Sequence, residues 1–156
     1  MDIRGAEERD VAEIIRMMRD FARFEELEEY FEATEERLRD VLFGPDRFVE
    51  TLIAEEGGTV AGYALFYPNY ASFRGQKGYY LEDLYVAPEF RGRGLGEAFL
   101  REIARRGSQR GFERIDFQVL EWNAPAIGFY EKLGAVRDES ERHFKFTDSA
   151  FARLAE

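Results

Sequence analysis

The hydrophobic positions in the first third of the chain have helical spacing. A short apolar segment at residues 1–6 suits an edge strand, and the apolar residues that follow lie three and four positions apart, which predicts an amphipathic helix. A second short helix is predicted from a Thr34 cap through Leu42, before the Gly44-Pro45 pair stops it. The apolar positions of the first helix are Val11, Ile14, Ile15, Met18, Phe21 and Ala22.

The middle of the chain has the composition of β-strands. Residues 48–55 and 59–70 are two β-rich runs joined by Glu56-Gly57-Gly58, which predicts a hairpin. Residues 79–86 form a third run rich in aromatic residues. We therefore expect three consecutive strands, in which alternate side chains point to opposite faces.

The last part of the chain alternates between helical and strand patterns. A glycine-rich turn at residues 92–96 leads into a helix to about Arg110, and a short strand is predicted at residues 115–120. Asn123 is the cap of a further helix, and residues 142–147 have the pattern of a last strand. This order of elements predicts a mixed α/β sheet in one domain over residues 1–156.

Composition narrows the possible chemistry. The 156 residues, 45% of them hydrophobic, are enough to form one hydrophobic core without disulfide bonds or structural metals. There is no cysteine, so thiolate metal sites and a cysteine nucleophile are excluded, and any histidine base would have to be His143. We expect no metal. The chain lacks a secretory pattern and an apolar run of membrane length, so we expect a cytoplasmic protein with no membrane partner.

The charge balance points to a cationic partner. The formal net charge of -10 argues against nucleic acid, because binding to phosphates is driven by Lys and Arg. An acidic surplus also serves solubility, so the charge alone decides little.

The most informative segment is Arg91-Gly92-Arg93-Gly94-Leu95-Gly96. Glycines allow successive backbone N–H groups to face one concavity, and the start of the next helix adds its positive end, so phosphate oxygens can bind there. A Walker loop is excluded because no Lys-Ser or Lys-Thr follows, and a dinucleotide fingerprint is disfavoured because its third glycine comes one residue early. A turn with incidental glycines stays an alternative.

Two segments together resemble a known family. Residues 80–86, Tyr-Leu-Glu-Asp-Leu-Tyr-Val, precede the glycine-rich segment, and residues 121–135 begin with Glu-Trp-Asn and contain Phe129-Tyr130. This combination resembles the GNAT acetyltransferases, and in particular their diamine branch, which includes spermidine/spermine and thialysine acetyltransferases. The resemblance covers nearly the whole chain. It implies the GNAT fold, a mixed and mostly antiparallel central sheet with splayed strands flanked by helices, and a homodimer.

The implied reaction needs a base and an acid. An alkylamine like that of lysine has a pKa of about 10.4 and is charged at neutral pH, so a group must remove a proton. Two carboxylates inside an apolar strand, Glu82 and Asp83, are costly unless they are paired or used. Strand alternation predicts that they point to opposite faces. The resemblance implies that Glu82 is the base, directly or through water, and that Tyr130 protonates the thiolate. By spacing alone, a buried structural tyrosine with its hydroxyl hydrogen-bonded would be the commoner explanation of Tyr130.

The resemblance also implies the binding residues. Acetyl-CoA is expected to pair with the backbone of residues 84–86 and to contact the glycine-rich segment and the later helix. The cofactor-binding residues are Leu84, Tyr85, Val86, Arg91, Gly92, Arg93, Gly94, Leu95, Gly96, Asn123, Ala126 and Tyr130. The residues expected to bind a small cationic amine are Phe24, Glu25, Glu82, Asp83, Asp116, Phe117, Gln118 and Glu139.

Two departures from the branch keep alternatives open. Phe24 stands where the branch has a tyrosine, and Leu133 replaces a basic residue near the cofactor. Acetylation of other amino acids or of peptide N-termini is therefore an alternative to acetylation of polyamines or of thialysine-like amino acids. A non-catalytic module that binds acyl-CoA is a further alternative from a different class of protein.

Overall fold

A computed structural model describes residues 1–156, which form five strands and five α-helices. The strands are β1 (Asp2–Gly5), β2 (Glu50–Glu56), β3 (Thr59–Ala71), β4 (Gln76–Val86) and β5 (Arg114–Phe117). The helices are α1 (Val11–Phe24), α2 (Glu35–Phe43), α3 (Leu95–Gln109), α4 (Ala124–Lys132) and α5 (Asp148–Leu154). The chain divides into two compact units, Met1–Gln118 and Val119–Glu156. Whether they fold as one domain, as the sequence suggests, stays a prediction.

The five strands form one sheet in the order β1-β2-β3-β4-β5. β1 to β4 are antiparallel neighbours, and β5 runs parallel to β4. This confirms the predicted mixed, mostly antiparallel sheet. The pairing of β4 with β5 ends at Leu81 and Phe117, so residues 82–86 have no strand beside them on that edge. The sheet is therefore open next to the end of β4, which is the predicted splay.

Helices cover the two faces of this sheet, because alternate strand residues are apolar on each side. On one face, α1 buries Val11 and Ile14 against Tyr63 of β3. On the other, α3 buries Phe99 and Ile103. All five residues are completely inaccessible to solvent, and full burial of a large apolar side chain stabilises the fold by about 1.5–3 kcal/mol. The two faces are called the α1 face and the α3 face below.

A β-bulge interrupts β4 at Glu82. Leu65 pairs with Asp83 and Phe66 pairs with Leu81, so Glu82 is an extra residue opposite this part of β3. Such a residue breaks the alternation of side chains. Glu82 and Asp83 both lie on the α1 face, and the prediction that they point to opposite faces was wrong, since alternation holds only for a strand without a bulge.

Other predicted boundaries also change. β4 begins at Gln76 rather than at residue 79, and β5 ends at Phe117 rather than at residue 120. The predicted last strand at residues 142–147 was wrong: this segment has no strand structure, and the helix α5 follows it. An alternating pattern supplies suitable side chains for a strand, but a strand also needs a partner for its backbone N–H and C=O groups. None of the helices has both the length and the apolar character that crossing a membrane requires.

Candidate active site

Two tyrosines of β3 bind the two carboxylates of β4. The Tyr63 hydroxyl donates a hydrogen bond to Oδ2 of Asp83 over 2.8 Å. The Tyr67 hydroxyl donates to Oε2 of Glu82 over 3.0 Å. Tyr63 packs in the core of the α1 face, and Tyr67 shares that face because it lies four residues further along the same strand. The bulge therefore creates a polar group of side chains on an otherwise apolar surface.

Asp83 is the carboxylate most affected by its surroundings. Burial raises its pKa from the usual 3.8 to about 6, against the hydrogen bond from Tyr63, which lowers it. The negative charges of Glu82 and Glu25 raise this pKa further. Burial, together with Asp83 itself, raises the pKa of the Tyr63 hydroxyl well above its usual value, so Tyr63 stays a donor. Asp83 can consequently change its protonation state near neutral pH, as groups at functional sites often do.

Glu25 adds a third carboxylate to this site. It follows α1 directly, and burial raises its pKa. No Lys or Arg side chain forms an ion pair with Glu25, Glu82 or Asp83. Moving a charged group out of bulk water costs free energy unless it gains a partner of opposite charge. The site thus carries negative charge that the protein itself does not balance.

Arg91 connects the end of α1 with the end of β4. Its Nε donates to the backbone oxygen of Val86 over 2.8 Å. Its guanidinium lies over the ring of Phe24, 5.3 Å from the ring centre, and over that of Tyr85 at 5.8 Å. Phe24, predicted to bind the substrate, and Arg91, predicted to bind the cofactor, are therefore neighbours.

The glycine-rich segment has a conformation that is compatible with anion binding. Gly92 and Gly94 have φ angles of 75° and 78°, in the left-handed region that favours glycine. A Cβ atom at either position would meet no other atom within 4 Å, so the space above the segment is open. Gly94 caps α3 without any side-chain hydrogen bond to the first turn. The first backbone N–H groups of α3 therefore remain available to an anion, and the helix dipole favours negative charge there.

The other members of the segment contribute differently. Leu95 is buried, 5% exposed, and packs in the core of the α3 face, so only its backbone can face a ligand. Arg93 forms an exposed ion pair with Glu56 over 2.9 Å. Exposed pairs of this kind contribute about 0–1 kcal/mol, so a phosphate could take the place of Glu56. Gly96 lies in the first turn of α3.

The free edge of β4 suits an extended ligand. Leu84, Tyr85 and Val86 pair with Ala64, Tyr63 and Gly62 of β3 on one edge only. On the other edge, the backbone groups of this part of β4 can bind an amide-containing chain in the manner of an added strand. Contact of Leu84, Tyr85 and Val86 with the cofactor stays a prediction.

Asp116 differs from the other acidic residues predicted to bind the amine. Its two carboxylate oxygens accept hydrogen bonds from Nε and Nη2 of Arg114, each with a donor–acceptor distance of 2.7 Å. These bonds lower the pKa of Asp116. Its charge is therefore already balanced. Phe117 pairs with Leu81 at the end of β5, and Gln118 is the next residue.

The second compact unit contains the remaining predicted residues. Asn123 caps α4 as predicted: its side chain accepts a hydrogen bond from the backbone N–H of Ala126 over 3.4 Å. The Tyr130 ring packs against Phe129, with 5.0 Å between ring centres. Glu139 pairs with Arg137 over 3.4 Å. Contact of Asn123, Ala126 and Tyr130 with the cofactor, and of Glu139 with the amine, stays a prediction.

Sequence reasoning missed Tyr63 and Tyr67. The sequence places both only within a β-rich run. Nothing in their spacing indicates a partner, because Tyr63 and Asp83 are 20 positions apart and Tyr67 and Glu82 are 15 positions apart. A polar aromatic residue within a buried strand is a weak signal for such a bond. No group of three or more His, Cys, Asp or Glu residues is arranged to hold a metal ion, and the absence of a metal from the reaction stays a prediction.

Comparison with known proteins connects this geometry to a family. Residues 11–135 match the model of the acetyltransferase (GNAT) family. Thialysine N-epsilon-acetyltransferase of Mus musculus is 36% identical over 98% of this chain and 96% of that protein. Spermidine/spermine N(1)-acetyltransferase-like protein 1 of Homo sapiens is 32% identical over 89% of this chain and 21% of that protein.

A solved structure agrees with the observed fold. An integron cassette protein from the mobile metagenome of V. cholerae superposes with a TM-score of 0.81, covering 99% of this chain and 97% of that one. The two sequences are 21% identical, so this likeness concerns the fold alone.

Proposed function

The chain belongs to the GNAT acetyltransferase family, and we propose that it transfers the acetyl group of acetyl-CoA to a primary amine of a small cationic substrate, a polyamine or a lysine-like amino acid such as thialysine. It is an N-acetyltransferase, and members of its family use acetyl-CoA. The proposal concerns the amine and the residues that act on it.

The unbalanced negative charge of Glu25, Glu82 and Asp83 carries the proposal. These carboxylates lie close enough for the charges of Glu25 and Glu82 to raise the pKa of Asp83, and none has a basic partner in the protein. An ammonium group would supply the missing charge through short charge-assisted hydrogen bonds. A neutral or anionic acceptor would leave the repulsion unrelieved. A cationic amine is therefore the acceptor that fits this site best.

The two carboxylates of the bulge suit two different tasks. Asp83, which is partly buried and bonded to Tyr63, would hold the ammonium, and Glu82, which is more exposed, would take its proton directly or through water. The lone pair of the nitrogen is then free to attack. Acetyl-CoA, when bound, supplies the acyl group and a thiolate leaving group. Tyr130 would donate the proton that this thiolate requires.

The residues around the open edge of β4 fit the coenzyme. The N–H groups at the start of α3 and the conformation of Gly92 and Gly94 suit phosphate oxygens, and Arg91 and Arg93 add positive charge. The free edge of β4 would bind the amide-containing arm. A homodimer in the cytoplasm, acting without nucleic acid, is part of the proposal, and sedimentation of the purified protein would test the dimer.

A substrate panel tests the function directly. The protein is incubated with acetyl-CoA and, separately, with thialysine, lysine, spermidine, spermine and putrescine, and free thiol is measured. We expect rapid thiol release with at least one of these amines. Release only with other amino acids or with peptide N-termini would support the alternative substrate class. Tight binding of acetyl-CoA without release for any acceptor would support a non-catalytic acyl-CoA-binding module.

The proposed acid is tested by Tyr130→Phe. This change removes only the hydroxyl, so turnover should fall by about 10²-fold or more while the affinity for coenzyme A stays nearly constant. Initial rates and calorimetric titration with coenzyme A measure the two quantities. Turnover equal to that of the unsubstituted protein would show that another group protonates the thiolate.

A further inference from the structure

We propose that Tyr67 and Tyr63 are positioning residues: Tyr67 holds the Glu82 carboxylate in the orientation needed to take a proton, and Tyr63 holds Asp83 for binding of the amine. This inference rests on the proposed function and adds two residues of β3 to it. Each phenol serves one carboxylate, so the two tyrosines should affect different kinetic constants.

The pairing follows from the bulge. Tyr63 and Tyr67 point to the same face of β3, and the extra residue in β4 brings both carboxylates to that face. Each phenol uses one oxygen, Oδ2 of Asp83 or Oε2 of Glu82. The other oxygen of each carboxylate receives no hydrogen bond from a protein side chain and can bind an ammonium.

Both phenols are fixed by aromatic packing. The Tyr67 ring stacks on Tyr80, with 5.5 Å between centres and 26° between planes, and meets Phe48 edge-on at 6.2 Å. Tyr63 is completely buried and lies 6.1 Å from the ring of Tyr85. Side chains locked by packing hold a partner in one geometry better than mobile ones do.

A phenol suits this purpose better than a basic residue would. It donates a hydrogen bond without adding positive charge, so the site keeps its attraction for an ammonium. Burial and the bond to Glu82 raise the pKa of Tyr67, so its hydroxyl stays protonated and does not itself take the amine proton. Tyr67 thus acts through Glu82 and is not a catalytic residue.

The test separates kcat from KM. In Tyr67→Phe the ring and its stacking remain, and we expect kcat for the best amine to fall about tenfold, because a hydrogen bond to a charged group is lost, with KM within about twofold. In Tyr63→Phe we expect KM for the amine to rise about tenfold with little change in kcat. Tyr70→Phe is the matched control, since Tyr70 is 62% exposed further along the same strand and should change neither constant.

A second background shows whether Tyr67 acts through Glu82. In a Glu82→Gln protein, adding Tyr67→Phe should reduce the remaining rate by less than about twofold, because coupled residues are not additive. A further tenfold loss in that background would overturn the assignment of Tyr67 to Glu82. Thermal unfolding of every variant, with midpoints close to that of the unsubstituted protein, excludes general misfolding as the cause.

The pH profile provides the corresponding test for Tyr63. The side chains that act on the pKa of Asp83 are Tyr63 on β3, Glu82 on β4 and Glu25 after α1, and of these only Tyr63, through its hydrogen bond, lowers it. In Tyr63→Phe the acid limb of kcat/KM should therefore move to higher pH, and the rise in KM should shrink towards pH 9.

The outcomes distinguish this inference from the function on which it rests. An active unsubstituted protein whose Tyr67→Phe and Tyr63→Phe variants keep normal kcat, KM and pH profile would overturn this inference alone. Absence of turnover in the unsubstituted protein with every amine of the panel would overturn the proposed function, and this inference with it.

Discussion

Two groups of carboxylates in the first compact unit have opposite surroundings. Asp10 and Glu55 share the guanidinium of Arg4, which joins β1, β2 and the start of α1. Glu25, Glu82 and Asp83 have phenols and one another as neighbours, but no basic partner. Each group contains a carboxylate that is at least partly buried, Asp10 in the first and Asp83 in the second, so burial alone does not distinguish the groups.

The first group is built for stability. Arg4 donates hydrogen bonds to both oxygens of Asp10, at distances of 2.7 and 2.9 Å, and Asp10 is 5% exposed. The backbone N–H of Glu7 adds a further hydrogen bond to Oδ2 of Asp10 over 2.7 Å. The bonds from Arg4 lower the pKa of Asp10, whereas burial raises that of Asp83. A lowered pKa marks a carboxylate that the fold stabilises, and a raised one marks a carboxylate kept at the expense of stability.

The largest expected effect is a loss of turnover from a change in the second group of carboxylates, the one without a basic partner. Glu82→Gln keeps the size and the hydrogen bond from Tyr67 but removes the proposed base, so turnover with the best amine should fall about 10²- to 10⁴-fold. Initial rates of thiol release measure this. The control is Glu113→Gln, an exposed position on the approach to β5. A loss of less than about tenfold would mean that Glu82 is not the base and that this group serves another purpose.

The next effect is a loss of stability from a change in the first group of carboxylates, the one that binds Arg4. Asp10→Ala leaves the partly buried Arg4 with Glu55 alone, and breaking a buried pair in this way costs about 3–5 kcal/mol of stability. Urea unfolding at pH 7 measures it, with Glu97→Gln in an exposed α3 pair as a control that should cost less than about 1 kcal/mol. Because Asp10 has a lowered pKa in the fold, its contribution is present above the unfolded pKa and is lost as pH falls through the folded pKa. The difference from the unsubstituted protein should therefore shrink in acid.

A smaller effect on stability, of opposite sign to that of Asp10→Ala, is expected from a change at Asp83. Its folded pKa of about 6 lies above the usual 3.8, so charged Asp83 destabilises the fold above pH 6, and the penalty disappears below about pH 3.8. Asp83→Asn should stabilise the protein by roughly 1–3 kcal/mol at pH 8, and by almost nothing at pH 4. Urea unfolding at the two pH values checks the sign. The same variant should have a higher KM for the amine, and a variant that is less stable at pH 8 would contradict this comparison.

The smallest effect is expected at Asp116. Arg114 already balances its charge, so Asp116→Asn should change KM for the amine by less than about threefold. Glu25→Gln, which removes an unpaired carboxylate, should raise KM more. Measuring KM for both variants with the same amine decides the order. If Asp116→Asn had the larger effect, pairing with an arginine would not predict which carboxylates bind the substrate.

The local features of the site could be predicted from sequence. The glycine-rich segment, the start of α3 and the Asn123 cap depend on residues within a few positions of one another, so their spacing is enough to recognise them. The resemblance to GNAT acetyltransferases, now confirmed by the family match, rests on segments of the same kind. Strand boundaries were predicted less accurately, because backbone pairing with residues distant in the chain determines where a strand begins and ends.

Local pattern and composition are enough to identify the family, the order of most elements and the acidic residues of the site. Pairing between strands determines the partners of Glu55, Glu82 and Asp83, whereas Asp10 and Asp116 bind arginines only six and two residues away. The bulge at Glu82 exists only in relation to β3, and Arg4 meets Glu55 only because β1 pairs with β2. For these three carboxylates the partner is distant in the chain, so the packing of the strands decides whether each one is paired with an arginine or left to a ligand.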